Sequence, residues 1–178
     1  MTACTQSNGK RAYPSKIVQK SKAMVIGTGN RWRKDDAVGL LVVRCFKKNS
    51  PDHVDVLEMP GISTDLLETW KETEAVFIVD AVHSRARPGT IHRFSLHDRP
   101  LPADIFSVRS THTWDIAETI ALGRVLGRLP PCLIIYGITG KNFSLGKSLS
   151  PEVKQAVPEA VSRLTQEVRK YLISFFQR

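Results

Sequence analysis

Two adjoining stretches decide the fold: Ala23-Met24-Val25-Ile26-Gly27-Thr28-Gly29-Asn30, and then Asp35-Asp36-Ala37-Val38-Gly39-Leu40-Leu41-Val42-Val43-Arg44-Cys45-Phe46. Met24-Val25-Ile26 is a short apolar run cut off by Gly27-Thr28-Gly29-Asn30, which reads as a strand entering a glycine loop. Val38, Leu41, Val42, Cys45 and Phe46 then recur at i, i+3, i+4, i+7 and i+8, one face of a helix that Asp35 or Asp36 can cap. The alternation continues along the chain. His53 to Met59 alternates as a strand and Pro60-Gly61 breaks it; Ser63 begins a short helix carrying Leu66, Leu67 and Trp70. Ala75 to Val79 is a continuous, buried-type strand ending at Asp80, and Pro88-Gly89 turns the chain into Thr90 to Leu96, which alternates like an edge strand.

Beyond it, a loop rich in proline and charge (Asp98 to Arg109) leads to Ser110-Thr111-His112. Thr113 to Leu126 reads as a helix with Ile116, Ala117 and Ile120 on one side, stopped by Pro130-Pro131. Cys132 to Ile138 is a second buried-type strand. After the loop Gly140 to Ser148, Ser150-Pro151 opens a last helix through Val161, Leu164, Val168 and Leu172, with Pro158 expected to kink or restart it. Strands alternating with helices predict an α/β protein whose mainly parallel sheet is covered on both faces.

Composition bounds the rest. Leu, Ile, Val and Phe make up more than a quarter of the 178 residues, enough to build a core and exclude wholesale disorder. No apolar run reaches the roughly 18 residues of a membrane helix, and no early apolar stretch has the length of a signal peptide. Cys4, Cys45 and Cys132 lie far apart with no Cys-x-x-Cys pair, which excludes a disulfide framework or a zinc knuckle. These features predict a soluble, cytoplasmic domain over residues 23–178, preceded by a flexible basic extension, residues 1–22.

The net charge is +9, and it sits at the ends. Lys10, Arg11, Lys16, Lys20 and Lys22 face no acid within residues 1–23, and Arg163, Arg169, Lys170 and Arg178 meet only Glu167 within residues 163–178. The body is near neutral and shows no basic stripe beside a nucleic-acid module. The charge therefore reads as a solvated tail and the outer face of the last helix, with neither nucleic acid nor membrane as partner.

Ligands of open α/β sheets meet the carboxyl ends of strands. Asp35 or Asp36, Asp80 and His112 all follow strand ends in sequence. Two carboxylates and an imidazole from separate loops form a donor set suited to a divalent first-row metal, with positions left open for substrate. Taken singly, each residue also has a plainer use, as a helix cap, a turn cap or an exposed residue at a helix start. Gly27-Thr28-Gly29 with Glu58 hints at a dinucleotide fingerprint, but Trp32 stands where its third glycine belongs. Ser110, His112 and Asp80 have the residue types of a hydrolytic triad without a nucleophile elbow. Cys45 and Cys132 read as core thiols, and His53, His83, His92 and His97 as surface residues.

The blocks Gly27-Thr28-Gly29-Asn30 and Asp35-Asp36-Ala37-Val38-Gly39 resemble the N-terminal signature of the hydrogenase maturation endopeptidases. Glu58, Asp80-Ala81, His112, Tyr136-Gly137-Ile138 and Leu149-Ser150-Pro151-Glu152 follow in the family's order. The resemblance covers about residues 23–175. It implies a three-layer α/β/α sandwich around a mostly parallel five-stranded sheet, of the phosphorylase/hydrolase-like kind. It implies an endopeptidase that removes the C-terminal extension of a [NiFe] hydrogenase large-subunit precursor after nickel insertion. By motif position Asp36, Asp80 and His112 are then both the nickel-contacting and the catalytic residues. The nickel is carried by the precursor, and cadmium or zinc can substitute in vitro. Asp36 stands where the family often has Glu, and Met59-Pro60-Gly61 replaces a more glycine-rich stretch. The alternative from another class is a non-proteolytic nucleotide- or metal-binding regulatory module on the same kind of sheet.

Overall fold

A computed structural model describes residues 22–60, 65–96 and 116–177. The expected extension, residues 1–22, lies outside the described residues apart from Lys22, as do Cys4, Ser63, His97, the Asp98–Arg109 loop and Ser110 to His112. Five strands form one sheet: β1 (Ala23–Thr28), β2 (Val54–Met59), β3 (Ala75–Val82), β4 (Ile91–Ser95) and β5 (Cys132–Thr139). Their order across the sheet is β2-β1-β3-β5-β4, parallel except for β4, which runs antiparallel at the edge beside β5. The helices are α1 (Val38–Lys47), α2 (Asp65–Thr69), α3 (Ile116–Val125) and α4 (Pro151–Phe176), with a 3-10 turn, Lys34–Ala37, ahead of α1.

Strand parity divides the core in two. Ala23, Val25, Ala75, Phe77, Val79, Ile134, Tyr136 and Ile138 point to one face, where α1 and α4 cover them with Val42, Phe46, Val157 and Leu164. Met24, Ile26, Val76, Ile78, Leu133 and Ile135 point to the other, against Leu66, Leu67 and Trp70 of the α2 region and Ile116 and Ile120 of α3. This is why β3 and β5 read as unbroken apolar runs while the edge strands β2 and β4 alternate. The result is the three-layer α/β/α sandwich that the sequence led us to expect.

Two details differ from the sequence reading. α4 neither breaks nor restarts at Pro158 but runs 26 residues through it. Pro158 is exposed, between buried Val157 and Ala160; its ring removes one helix hydrogen bond, and the buried stripe holds the helix on the sheet. The second difference is that neither Asp35 nor Asp36 caps α1. Both lie in the 3-10 turn, and Ala37 takes the N-cap position without a side-chain bond. Arg163, Arg169 and Lys170 do lie exposed along the outer face of α4.

The start of α1 presses onto the sheet through glycine. A Cβ on Gly39 would sit 2.3 Å from the Val79 carbonyl oxygen and 2.4 Å from that of Thr28, and a Cβ on Gly27 2.5 Å from the Gly39 oxygen. Backbone atoms on both sides leave no soft neighbour to yield. Gly39→Ala is therefore expected to lower unfolding stability by about 3 kcal/mol, at the upper end of overpacking costs, which urea denaturation measures.

Candidate active site

The parallel strands deliver their carboxyl ends to one edge: Thr28 beside Met59, Gly27 beside Val79, and Asp80 beside Gly137. The loop after β1 is drawn back over this edge. Gly29 adopts φ +131° and brings its Cα so near the 3-10 turn that a Cβ would fall 1.8 Å from the Asp36 backbone carbonyl oxygen. The Asn30 N–H donates to the Asp36 carboxylate at 3.1 Å, which orients that side chain from its own loop.

Asp35 and Asp36, indistinguishable in the sequence, have separate duties. Asp35 is wholly buried. Its carboxylate accepts the N–H groups of Lys141 (2.9 Å), Asn142 (2.8 Å) and Ser150 (2.6 Å) and the Ser150 hydroxyl (2.8 Å). Burial pushes this carboxyl up, but the backbone donors of Ser150, Asn142 and Lys141 and the Ser150 hydroxyl together hold it below its ordinary 3.8. Ser150 opens α4 as its N-cap, yet its hydroxyl goes to Asp35 rather than to the helix. Asp35 thus ties the β1–α1 loop to the segment between β5 and α4, and backbone bonds from Gly146 to Trp32 and from Lys34 to Gly146 extend the tie. Asp36 is only partly buried and faces the edge.

Asp80 lies in β3, partly buried, with its carboxylate accepting the N–H of Ala81 at 2.9 Å. Asp36 and Asp80 therefore share the carboxyl edge of neighbouring elements. His112, the third member of the expected set, lies outside the described residues, and among the described residues no group of three or more His, Cys, Asp or Glu side chains could hold a metal ion. Glu58, at the end of β2, pairs with Arg44 of α1 at 2.5 Å, which holds its carboxyl low against the rise from burial.

Two histidines read as surface residues are not. His83 is half-buried and stacks on Phe143 with ring centroids 4.0 Å apart. Burial lowers its pKa, while the negative charge of Asp36 pulls the other way and Arg33 adds to the lowering. His83 thus stands at the same edge as the candidate acids. His92 is half-buried on β4, its Nε2 sharing a hydrogen bond with the Thr139 hydroxyl at 2.9 Å, and burial lowers its pKa. His83 follows Asp80 by three residues, and this proximity is the one hint the sequence holds. Cys45 and Cys132 are half-buried and free, and burial pushes the Cys132 thiol up, away from nucleophilic character.

The glycines bear on the nucleotide alternative. In phosphate-binding loops they open the backbone to the ligand; here Gly27 and Gly29 meet Gly39, Val43 and Asp36 instead. An acidic 3-10 turn precedes α1 where a pyrophosphate would sit.

Fold and edge together define an α/β protein that presents carboxylates and a half-buried histidine above its strand ends. A family model described as hydrogenase maturation protease matches residues 40–167. The chain is 25% identical over 152 residues to the hydrogenase 2 maturation protease of Escherichia coli, spanning 84% of this chain and 92% of that protein. Its fold is similar to that of the hydrogenase maturating endopeptidase HybD from E. coli (TM-score 0.70, 20% identity, 84% and 93% of the two chains). It is also similar to the [NiFe] hydrogenase maturation protease HybD from Thermococcus kodakarensis (TM-score 0.57, 27% identity, 85% and 98%). The chain belongs to the hydrogenase maturation protease family.

Asp35→Asn puts an amide N–H against backbone donors and is expected to cost about 3 kcal/mol, the range for a buried hydrogen-bonded charge. Because the folded carboxyl lies below its unfolded value, its stabilisation is present above about pH 4 and lost as pH falls through the native pKa. Thermal unfolding from pH 7 to pH 3 should show this acid-side loss in the wild type, and less of it in the variant.

Proposed function

We propose that this chain is the endopeptidase that removes the C-terminal extension of a [NiFe] hydrogenase large-subunit precursor once nickel has been inserted, acting in the cytoplasm. What supports the reading is that Asp36, in the turn after β1, and Asp80, near the carboxyl end of β3, both lie at the carboxyl edge of the sheet in a chain of this family. His112, from the segment ahead of α3, completes the proposed set. The three side chains contact nickel that the precursor brings with it, so the metal is part of the substrate. Two oxygens and one nitrogen suit that ion and leave positions for the precursor's own ligands. A precursor without nickel lacks the group these residues recognise, which makes metal insertion a condition of cleavage.

Hydrolysis adds water across the scissile amide: its oxygen goes to the carbonyl carbon, and a proton goes to the departing nitrogen. A carboxylate at this edge serves as general base for the attacking water.

The test mixes the purified protein with nickel-loaded and nickel-free precursor and follows the precursor's mass. Loss of a C-terminal peptide from the loaded form alone is the expected result; equal cleavage of both forms refutes the nickel condition. Asp36→Asn and His112→Ala should each lower the processing rate at least about a hundredfold, the scale of a lost acid–base group, with unchanged far-ultraviolet circular dichroism. Full processing by both variants would remove these residues from the site.

A further inference from the structure

Beside the acidic turn lies a concavity that the cleavage chemistry does not use. Its volume is about 340 Å³, and Leu40, Leu41 and Leu149 give it an aliphatic floor. That size falls near the bottom of the roughly 300–1,000 Å³ range of ligand pockets, enough for one or two side chains. Arg31, Arg44 and Lys147 stand around it, and among the described residues no acid lines it. Glu58 nearby has its charge engaged by Arg44.

Trp32 forms part of the wall with 54% of its surface exposed. It is nonetheless held in place. Its backbone N–H donates to the Asn30 side-chain oxygen at 2.9 Å, its carbonyl accepts the Gly146 N–H at 2.8 Å, and the Lys147 ammonium sits 4.7 Å from its ring centroid. A large exposed aromatic on a fixed backbone, over an aliphatic floor and ringed by cations, has the make-up of a binding anchor. The pocket adjoins the cleavage edge, because Ala37 lines it and Asp36 is the preceding residue.

We infer that this pocket is a substrate-docking subsite that takes an aliphatic side chain of the precursor flanked by side-chain carboxylates. The inference rests on the proposed endopeptidase reading and deepens it. The aliphatic floor receives the apolar side chain, and Arg31 and Lys147 at the rim receive the carboxylates. Charge complementarity selects an acidic segment over a basic one, and the concave aliphatic floor favours a peptide over a nucleic acid, whose bases would need a flat stacking surface.

The experiment titrates the full chain with acetyl-Glu-Leu-Glu-Leu-Gly-amide, with acetyl-Lys-Leu-Lys-Leu-Gly-amide and with a dT 12-mer, following the indole N–H resonance of Trp32, assigned through Trp32→Phe. Saturable shifts with the acidic peptide, none with the basic one, and about tenfold weaker binding in the Arg31→Glu/Lys147→Glu double variant are expected, the scale of two exposed ion pairs reversed. No shift of this indole, equal shifts with both peptides, or tighter binding of the dT 12-mer at this indole would overturn the subsite. In the precursor assay the same double variant should raise KM by more than it changes kcat; a fall confined to kcat would overturn the docking role. A wild-type chain that binds the acidic peptide but cleaves no nickel-loaded precursor would sink the endopeptidase reading and leave the pocket's peptide preference standing.

Discussion

The buried carboxylate of Asp35 is the constraint on which the working edge of this protein depends. A charge fully removed from water is tolerated only when its lone pairs are met, and here three backbone N–H groups and one hydroxyl meet it. Its partners lie 106 to 115 residues further along the chain. One side chain thereby fastens the loop after the first strand to the segment after the last parallel strand. The orientation of Asp36, the position of Trp32 and the start of α4 all follow from that fastening. Because an uncompensated buried charge is so costly, the clamp is close to all-or-none, and the loop it holds has little freedom to wander.

The second constraint is close approach. Gly27 and Gly39 let α1 settle directly on β1 and β3, which places the acidic 3-10 turn above the strand ends instead of a turn further out. A side chain at either position would lift the helix and carry Asp36 away from Asp80. Gly27 and Gly29, which suggest phosphate binding in the sequence, are likewise consumed in packing against Gly39, Val43 and Asp36. That distinction separates a protease-like edge from a nucleotide-binding one without any appeal to ligand contacts.

Much of the fold was legible because burial on both faces writes itself as continuous apolar runs. Ala75–Val79 and Cys132–Ile138 can be little else than inner strands, and the Thr90–Leu96 alternation after Pro88-Gly89 marked an edge strand, whose antiparallel direction the structure adds. Pro158 was misread because local sequence registers the ring's missing donor but not the buried stripe of Val157, Ala160 and Leu164 that keeps the helix in one piece. The site was legible to the extent that acids follow strands. Asp36 and Asp80 could be marked by their positions, but nothing local told Asp35 from Asp36, since the difference lies in donors at Lys141, Asn142 and Ser150. His83 and His92 were missed for the same reason: Phe143 and Thr139, which shelter them, come from a strand and loop some fifty residues away.

The arrangement has an electrostatic logic. An edge bearing Asp36 and Asp80 repels an acidic peptide and favours a cation, which on the proposed reading is the metal the precursor carries. Arg31, Arg44 and Lys147 line the pocket that Ala37, the residue after Asp36, also lines. The two fields divide the surface into a part that favours a cation and a part that favours carboxylates, the pocket and the acidic turn meeting at Ala37. A substrate that presents both a divalent metal and acidic side chains at matching spacing satisfies both fields together, whereas a free metal ion or a plain acidic peptide satisfies one. Selectivity of this kind needs no deep pocket. It needs the acidic turn and the cationic rim held in fixed relation, and that relation is what the buried carboxylate of Asp35 supplies by pinning one loop to the other.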